Sequence, residues 1–93
     1  MNIEFVKEEH EAQAFDGENK AGFCQYQEKG DNTWEIIHTV VDSNYQGQGL
    51  AGKLLDEVCR SALKEGVKII PTCSYAVKKF DQEVDKYGDL DAR

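Results

Sequence analysis

The sequence predicts an α+β fold. An antiparallel meander of about four strands leads into an amphipathic helix, a parallel fifth strand and a short C-terminal helix. Three observations carry this expectation. Apolar residues alternate with period two through the first forty positions, two clusters of turn formers interrupt that alternation, and after Val41 the spacing becomes helical.

Taken in order, Ile3, Phe5 and Lys7 share one face of a short first strand, with Asn2, Glu4 and Val6 on the other. A second extended run lies from Glu11 to Phe15, weakly apolar on both faces. The turn formers Asp16-Gly17-Glu18-Asn19-Lys20 join it as a hairpin to a third strand from Ala21 to Glu28, with Phe23 on one face and Cys24 and Tyr26 on the other. Lys29-Gly30-Asp31-Asn32 makes the next turn. Thr33 to Val41 is the strongest strand, because Trp34, Ile36, His38 and Val40 alternate with Thr33, Glu35, Ile37, Thr39 and Val41. Unbroken alternation places His38 on the same covered face as Trp34 and Ile36.

Beyond a polar loop, Leu50, Leu54, Leu55, Val58, Ala62 and Leu63 form one helical stripe, with Lys53, Asp56, Glu57, Arg60 and Lys64 outside it. Gly66 stands where a helix stop is wanted. Val67 to Ile70 is dense in branched residues and ends at Pro71, so it reads as a strand that returns through a right-handed crossover. Ser74 is placed to cap a last helix carrying Tyr75, Ala76, Val77 and Phe80. The acidic stretch from Asp81 reads as a solvated or disordered end. One domain, residues 1–93, is expected, with its core over about residues 1–80 and a tail over 81–93.

Composition narrows the function. Eleven Lys and Arg face eighteen Asp and Glu among 93 residues, leaving a net charge of −7, an acidic balance that argues against phosphate-backbone binding and so against nucleic acid as the main partner. Hydrophobic residues at 40% and charged residues at 31% are the balance of a globular chain. No apolar stretch is long enough to span a bilayer, and the start Met1-Asn2-Ile3-Glu4-Phe5 does not read as a secretion signal, so no membrane role and a cytoplasmic location are expected. Cys24, Cys59 and Cys73 are odd in number and widely spaced, as free thiols are. They and the distant His10 and His38 show no metal-ligand spacing, so no metal site is expected. A core this small would gain from homo-oligomerisation.

The segment Gln46-Gly47-Gln48-Gly49-Leu50-Ala51 carries the chemistry. It puts small residues where a strand's end meets a helix's start, where backbone N–H groups lack intrahelical partners and the helix dipole adds partial positive charge. Glycines there leave room for a phosphate, so an acidic protein can hold an anionic cofactor without a lysine. The Gly-Lys-Ser/Thr ending of a Walker A loop and the three-glycine dinucleotide spacing are both missing.

The order Gln46-x-x-Gly49-x-Ala51, after Thr39-Val40-Val41 and before an amphipathic helix, resembles the pyrophosphate-binding motif of the GNAT superfamily of acetyl-CoA-dependent N-acyltransferases. With Ile70-Pro71-x-Cys73-Ser74-Tyr75 the likeness extends over roughly residues 33 to 80, and it points to the branch of very small single-domain members. It implies a reduced GNAT-like fold with acetyl-CoA as cofactor. The backbone N–H groups of Gln46, Gly47, Gln48, Gly49, Leu50 and Ala51 would hold the pyrophosphate, with Lys53 one turn further along. Val40 and Val41 would pair their backbone with the pantetheine arm. A backbone N–H near Val40 would polarise the acetyl carbonyl. Tyr75 is the nearest match to the family tyrosine that protonates the departing thiolate. The chain departs from the family in offering only Glu8 to Gln13 between its first two strands and in reducing the C-terminal strand pair, which leaves the acceptor side open.

Two further candidates come from the residues themselves. His38 is a candidate general base for an amine. Cys73 follows the last parallel strand beside a helix N-terminus, a position that favours thiolate chemistry: accepting the acetyl group or forming a mixed disulfide with CoA. Trp34, Tyr26, Cys24 and Cys59 read as packing. The expected function is acetyl transfer from acetyl-CoA to an amine on a small molecule or protein, with a cationic acceptor favoured by the acidic surface. The alternative is a CoA- or acyl-CoA-binding module without turnover, serving as a sensor or interaction domain.

Overall fold

The computed structural model describes residues 1–93. Five strands lie side by side in chain order: β1 (Asn2–Val6), β2 (Glu11–Asp16), β3 (Asn19–Gly30), β4 (Thr33–Val41) and β5 (Lys68–Pro71). The first three pairings are antiparallel, as short turns require, and β4 with β5 is parallel across the helical crossover. Helix α1 (Leu50–Glu65) supplies that crossover, and α2 (Ser74–Gln82) and α3 (Val84–Tyr87) follow. The mixed sheet and its element order agree with the expected architecture.

One core forms between the sheet and the helices. Ala12, Ala14, Cys24, Tyr26, Trp34 and Ile36 face Leu54, Leu55, Val58 and Ala62 of α1, all at 3% exposure or less. Alanines on β2 let α1 approach closely, while the rings of Phe5, Tyr26 and Trp34 fill the wider end in a stack, with Tyr26 and Trp34 centroids 4.2 Å apart. Leu63, expected on the buried stripe, is exposed, and Cys59 and Ser61 are covered instead. The stripe is thus turned slightly from the one drawn through the leucines.

Three expectations fail for reasons local sequence does not carry. Gln25 pairs with His38 while Tyr26 pairs with Ile36, so Ile37 is an extra residue in β4. This bulge inverts the alternation. Ile36 and Thr39 therefore share the helix-covered face, and His38 is exposed on the other. Second, the residue that caps α2 is Cys73, not Ser74: its Sγ accepts the Ala76 N–H at 3.4 Å, and Ser74 is already helical. Third, the acidic tail is folded. Tyr87 and Leu90 are buried, Phe80 stacks on Tyr87, and Tyr87 Oη donates to Asp56 of α1 at 2.7 Å. The Ile69 N–H donates to the Leu90 carbonyl and the Ala92 N–H to the Ile69 carbonyl, so the tail covers the outer edge of β5.

Candidate functional site

The site grows from the place where β4 and β5 part. Thr72 and Cys73 both donate their N–H to the Ile36 carbonyl at 3.1 Å, the last backbone link between the two strands. Residues 37–41 of β4 continue without a neighbour on that side. The Asp42 N–H turns to β3, donating to the Ala21 carbonyl at 2.8 Å, whereas the Val41 carbonyl accepts from Gln46 Nε2 at 3.4 Å on the opposite side. Backbone groups alternate along a strand, so Thr39 and Val41 present theirs to the gap and Val40 presents its own to β3. The Val41 backbone thus faces the gap, whereas the expectation for Val40 is corrected, because the bulge at Ile37 moves the free positions to Thr39 and Val41.

At the end of the gap the chain makes one 3-10 turn, Ser43–Tyr45, closed by Asp42 Oδ1 accepting from the Asn44 N–H at 2.9 Å. It then enters α1 through Gly47 (φ 83°) and Gly49 (φ 73°). These left-handed conformations favour glycine, which has no Cβ to strain them. A Cβ on either would meet nothing within 4 Å, so both face open space. No side chain caps α1, and no hydrogen bond within the protein takes its donor from the amides of residues 47–52. Six amide donors are left beside the positive end of a 16-residue helix.

A cleft of about 380 Å³ gathers these groups, lined by Thr39, Val41, Tyr45, Gln46, Gly49 and Tyr75 together with Gly47, Leu50, Ala51 and Gly52. None of these side chains is charged, so nothing in the lining opposes an anion at the amides. Tyr75, the second residue of α2, reaches across to α1: its hydroxyl lies 3.3 Å from where a Gly52 Cβ would stand. Burial pushes that phenol above its ordinary range, which keeps it protonated near neutrality. Tyr45 Oη donates to Asp16 Oδ2 at 2.8 Å, and this bond likewise holds the Tyr45 phenol in its protonated form.

Of the residues singled out from the sequence, Val41, Gln46, Gly47, Gly49, Leu50, Ala51 and Tyr75 come together in this cleft. Gln48 and Lys53 are exposed beside it and do not line it. Cys73 lies behind Thr39, whose Oγ1 is 3.5 Å from both the Cys73 and Cys24 sulfurs. Burial pushes the Cys24 and Cys59 thiols up to about 12, as their reading as packing residues requires. His38 stands on the far face of β4, outside the cleft. Thr39, Tyr45 and Gly52 are lining residues that sequence reasoning missed. The one local signal was their position flanking the glycine motif.

An open mixed sheet, a gap where β5 parts from β4 and a row of free amides at the start of α1 define the site of an α+β protein. The sequence pattern of the GCN5-related N-acetyl-transferases matches residues 9–90, and the chain belongs to that family. Among solved structures it is similar to a GCN5-like protein from Staphylococcus aureus. The two are 31% identical, the match covers 96% of this chain and 85% of that one, and the TM-score is 0.74. A Bacillus cereus protein named IAA acetyltransferase is 22% identical over 83% of this chain and 54% of its own, with a TM-score of 0.61. A Bacillus anthracis protein named for streptothricin acetylation, solved with acetyl coenzyme A, is 19% identical over 80% of this chain and 46% of its own, with a TM-score of 0.60. These last two share the fold, and this chain spans about half their length.

Proposed function

We propose that the protein is an acetyl-CoA-dependent N-acetyltransferase acting on a cationic amine, carried by a small molecule or a protein. The observation that carries this reading is the row of unpartnered amides at residues 47–52, opening on two glycines that leave space for a diphosphate. The cleft fits such a group by its volume, its amide donors and its lack of carboxylates. Family membership and the related fold solved with acetyl coenzyme A support the same cofactor.

Acetyl-CoA, when bound, supplies an activated acetyl group; the chain supplies position and proton handling. The amides of residues 47–52 bind the pyrophosphate. The backbone of Thr39 and Val41 pairs with the pantetheine arm as an added strand would, directing the thioester toward the gap. A free N–H at that edge polarises the acetyl carbonyl. The Tyr75 phenol, held protonated by burial, donates its proton to the departing thiolate. Water takes the proton of the attacking amine, since His38 stands on the far face of β4 and outside the cleft. The net charge of −7 attracts a cationic acceptor.

A second reading, a CoA-binding module without turnover, is favoured by one observation. The cleft's titratable lining is two tyrosines, and His38 is not among its walls. Thiol release from acetyl-CoA over a panel of polyamines, aminated small molecules and lysine peptides decides between the two. Amine-dependent release supports the enzyme. Saturable CoA binding with no release on any amine supports the module, and no binding of either nucleotide refutes both.

A further inference from the structure

We propose that Tyr45 and Asp16 form a positioning clamp that sets the amide row in register for the diphosphate, an inference that rests on the CoA reading above. Tyr45 is the last residue of the turn before Gln46, and its ring packs against the core while its edge lines the cleft. Its hydroxyl donates to Asp16 Oδ2 at 2.8 Å, across 29 positions of sequence. The other side-chain hydrogen bonds of residues 43–49 are local: Asp42 to the Asn44 N–H, and Gln46 Nε2 to the Val41 carbonyl at a long 3.4 Å. The Tyr45–Asp16 bond therefore joins the glycine loop to β2, a strand held on both sides within the sheet. Without it, the two glycines and five other residues of 43–49 would have no side-chain hydrogen bond to a strand other than β4, and amides that must converge on one anion would lose their common aim.

The sign of the charge supports positioning over electrostatics. A carboxylate beside an anion site repels the anion, so Asp16 as a charge alone weakens binding. Its presence there is accounted for by what it holds. Tyr45 and Asp16 thus act through the loop and touch no reacting atom.

Calorimetric CoA binding is measured on the wild type and on full-length Tyr45→Phe, Asp16→Ala, Asp16→Asn and the double variant Tyr45→Phe/Asp16→Ala, each with a thermal melt. Loss of a hydrogen bond of this kind is expected to weaken CoA binding by about fivefold in Tyr45→Phe and Asp16→Ala. The double variant should be no weaker than the worse single one, since one interaction is removed twice. Asp16→Asn should bind at least as well as the wild type, because its carbonyl still accepts from Tyr45. Wild-type affinity in Tyr45→Phe and Asp16→Ala overturns the clamp, including the case where only their melting points fall. Equal tightening in Asp16→Ala and Asp16→Asn also overturns it, since Asp16 would then act as charge alone. A wild type that does not bind CoA removes the cofactor reading itself, and the clamp with it.

Discussion

Gly49 and Gly66 bracket α1 and hold nearly the same left-handed backbone, φ 73° and ψ 18° against φ 71° and ψ 28°. Neither would bring a Cβ within 4 Å of another atom. They differ in one respect: Gly49 lines the cleft, and Gly66 ends the helix elsewhere. Alanine at either position takes on left-handed strain of about 1–2 kcal/mol. That strain is partly offset, by about 0.4–1 kcal/mol, through loss of freedom in the unfolded chain. Both variants should thus lose about 1 kcal/mol, or roughly 4–8 °C in Tm for a chain of this size. Only Gly49→Ala puts a methyl into the open space where the proposed function brings a phosphate oxygen to the amides. Displacing one charge-assisted hydrogen bond, worth about 1.5–3 kcal/mol, weakens CoA binding by about tenfold or more. Paired melts and calorimetric titrations of the two variants separate strain from blockage. Equal CoA affinity in Gly49→Ala and Gly66→Ala, after equal loss of Tm, would refute the assignment of the loop.

Other outcomes follow from the same contacts. Cys73→Ala removes the α2 cap and should cost about 1 kcal/mol, which Cys73→Ser restores. If the serine variant folds as the wild type and keeps full acetyl transfer, the thiol has no part in the chemistry; loss of transfer at unchanged Tm assigns it one. Alkaline pH should destabilise the fold. Cys24 and Cys59 keep their protons in the folded state up to about 12, whereas in the unfolded chain they release them from about 9, so stability falls as pH rises between those values. Melts from pH 8 to 11 test this, and a flat profile would contradict it. Leu90→Ala empties a buried site beneath the tail and should cost about 2–3 kcal/mol, readable by urea titration; an unchanged midpoint would mean that the tail is not docked.

What the sequence disclosed was what short-range chemistry decides. Strand alternation around Trp34 and Ile36, the α1 stripe through Leu54 and Val58, and the glycine loop all depend on neighbours within a few residues. His38 escaped because its facing depends on a bulge at Ile37, which only the pairing of β4 with Gln25 and Tyr26 creates. The tail was misread because Tyr87 and Leu90 show no periodicity of their own. They are buried by α1 and β5, elements distant in the chain. In the site, Gly47 and Gly49 were legible because left-handed backbone selects glycine. Thr39 and Asp16 were not, since an ordinary threonine and a hairpin aspartate gain meaning only from what the sheet sets beside them.

The most direct test is a titration of ¹⁵N-labelled protein with coenzyme A, followed amide by amide. Free N–H groups at residues 47–52 that grip the diphosphate should move furthest, with Thr39 and Val41 next and the β1–β2 edge unmoved. Saturating shifts centred elsewhere, with residues 47–52 unchanged, would contradict the account at its base.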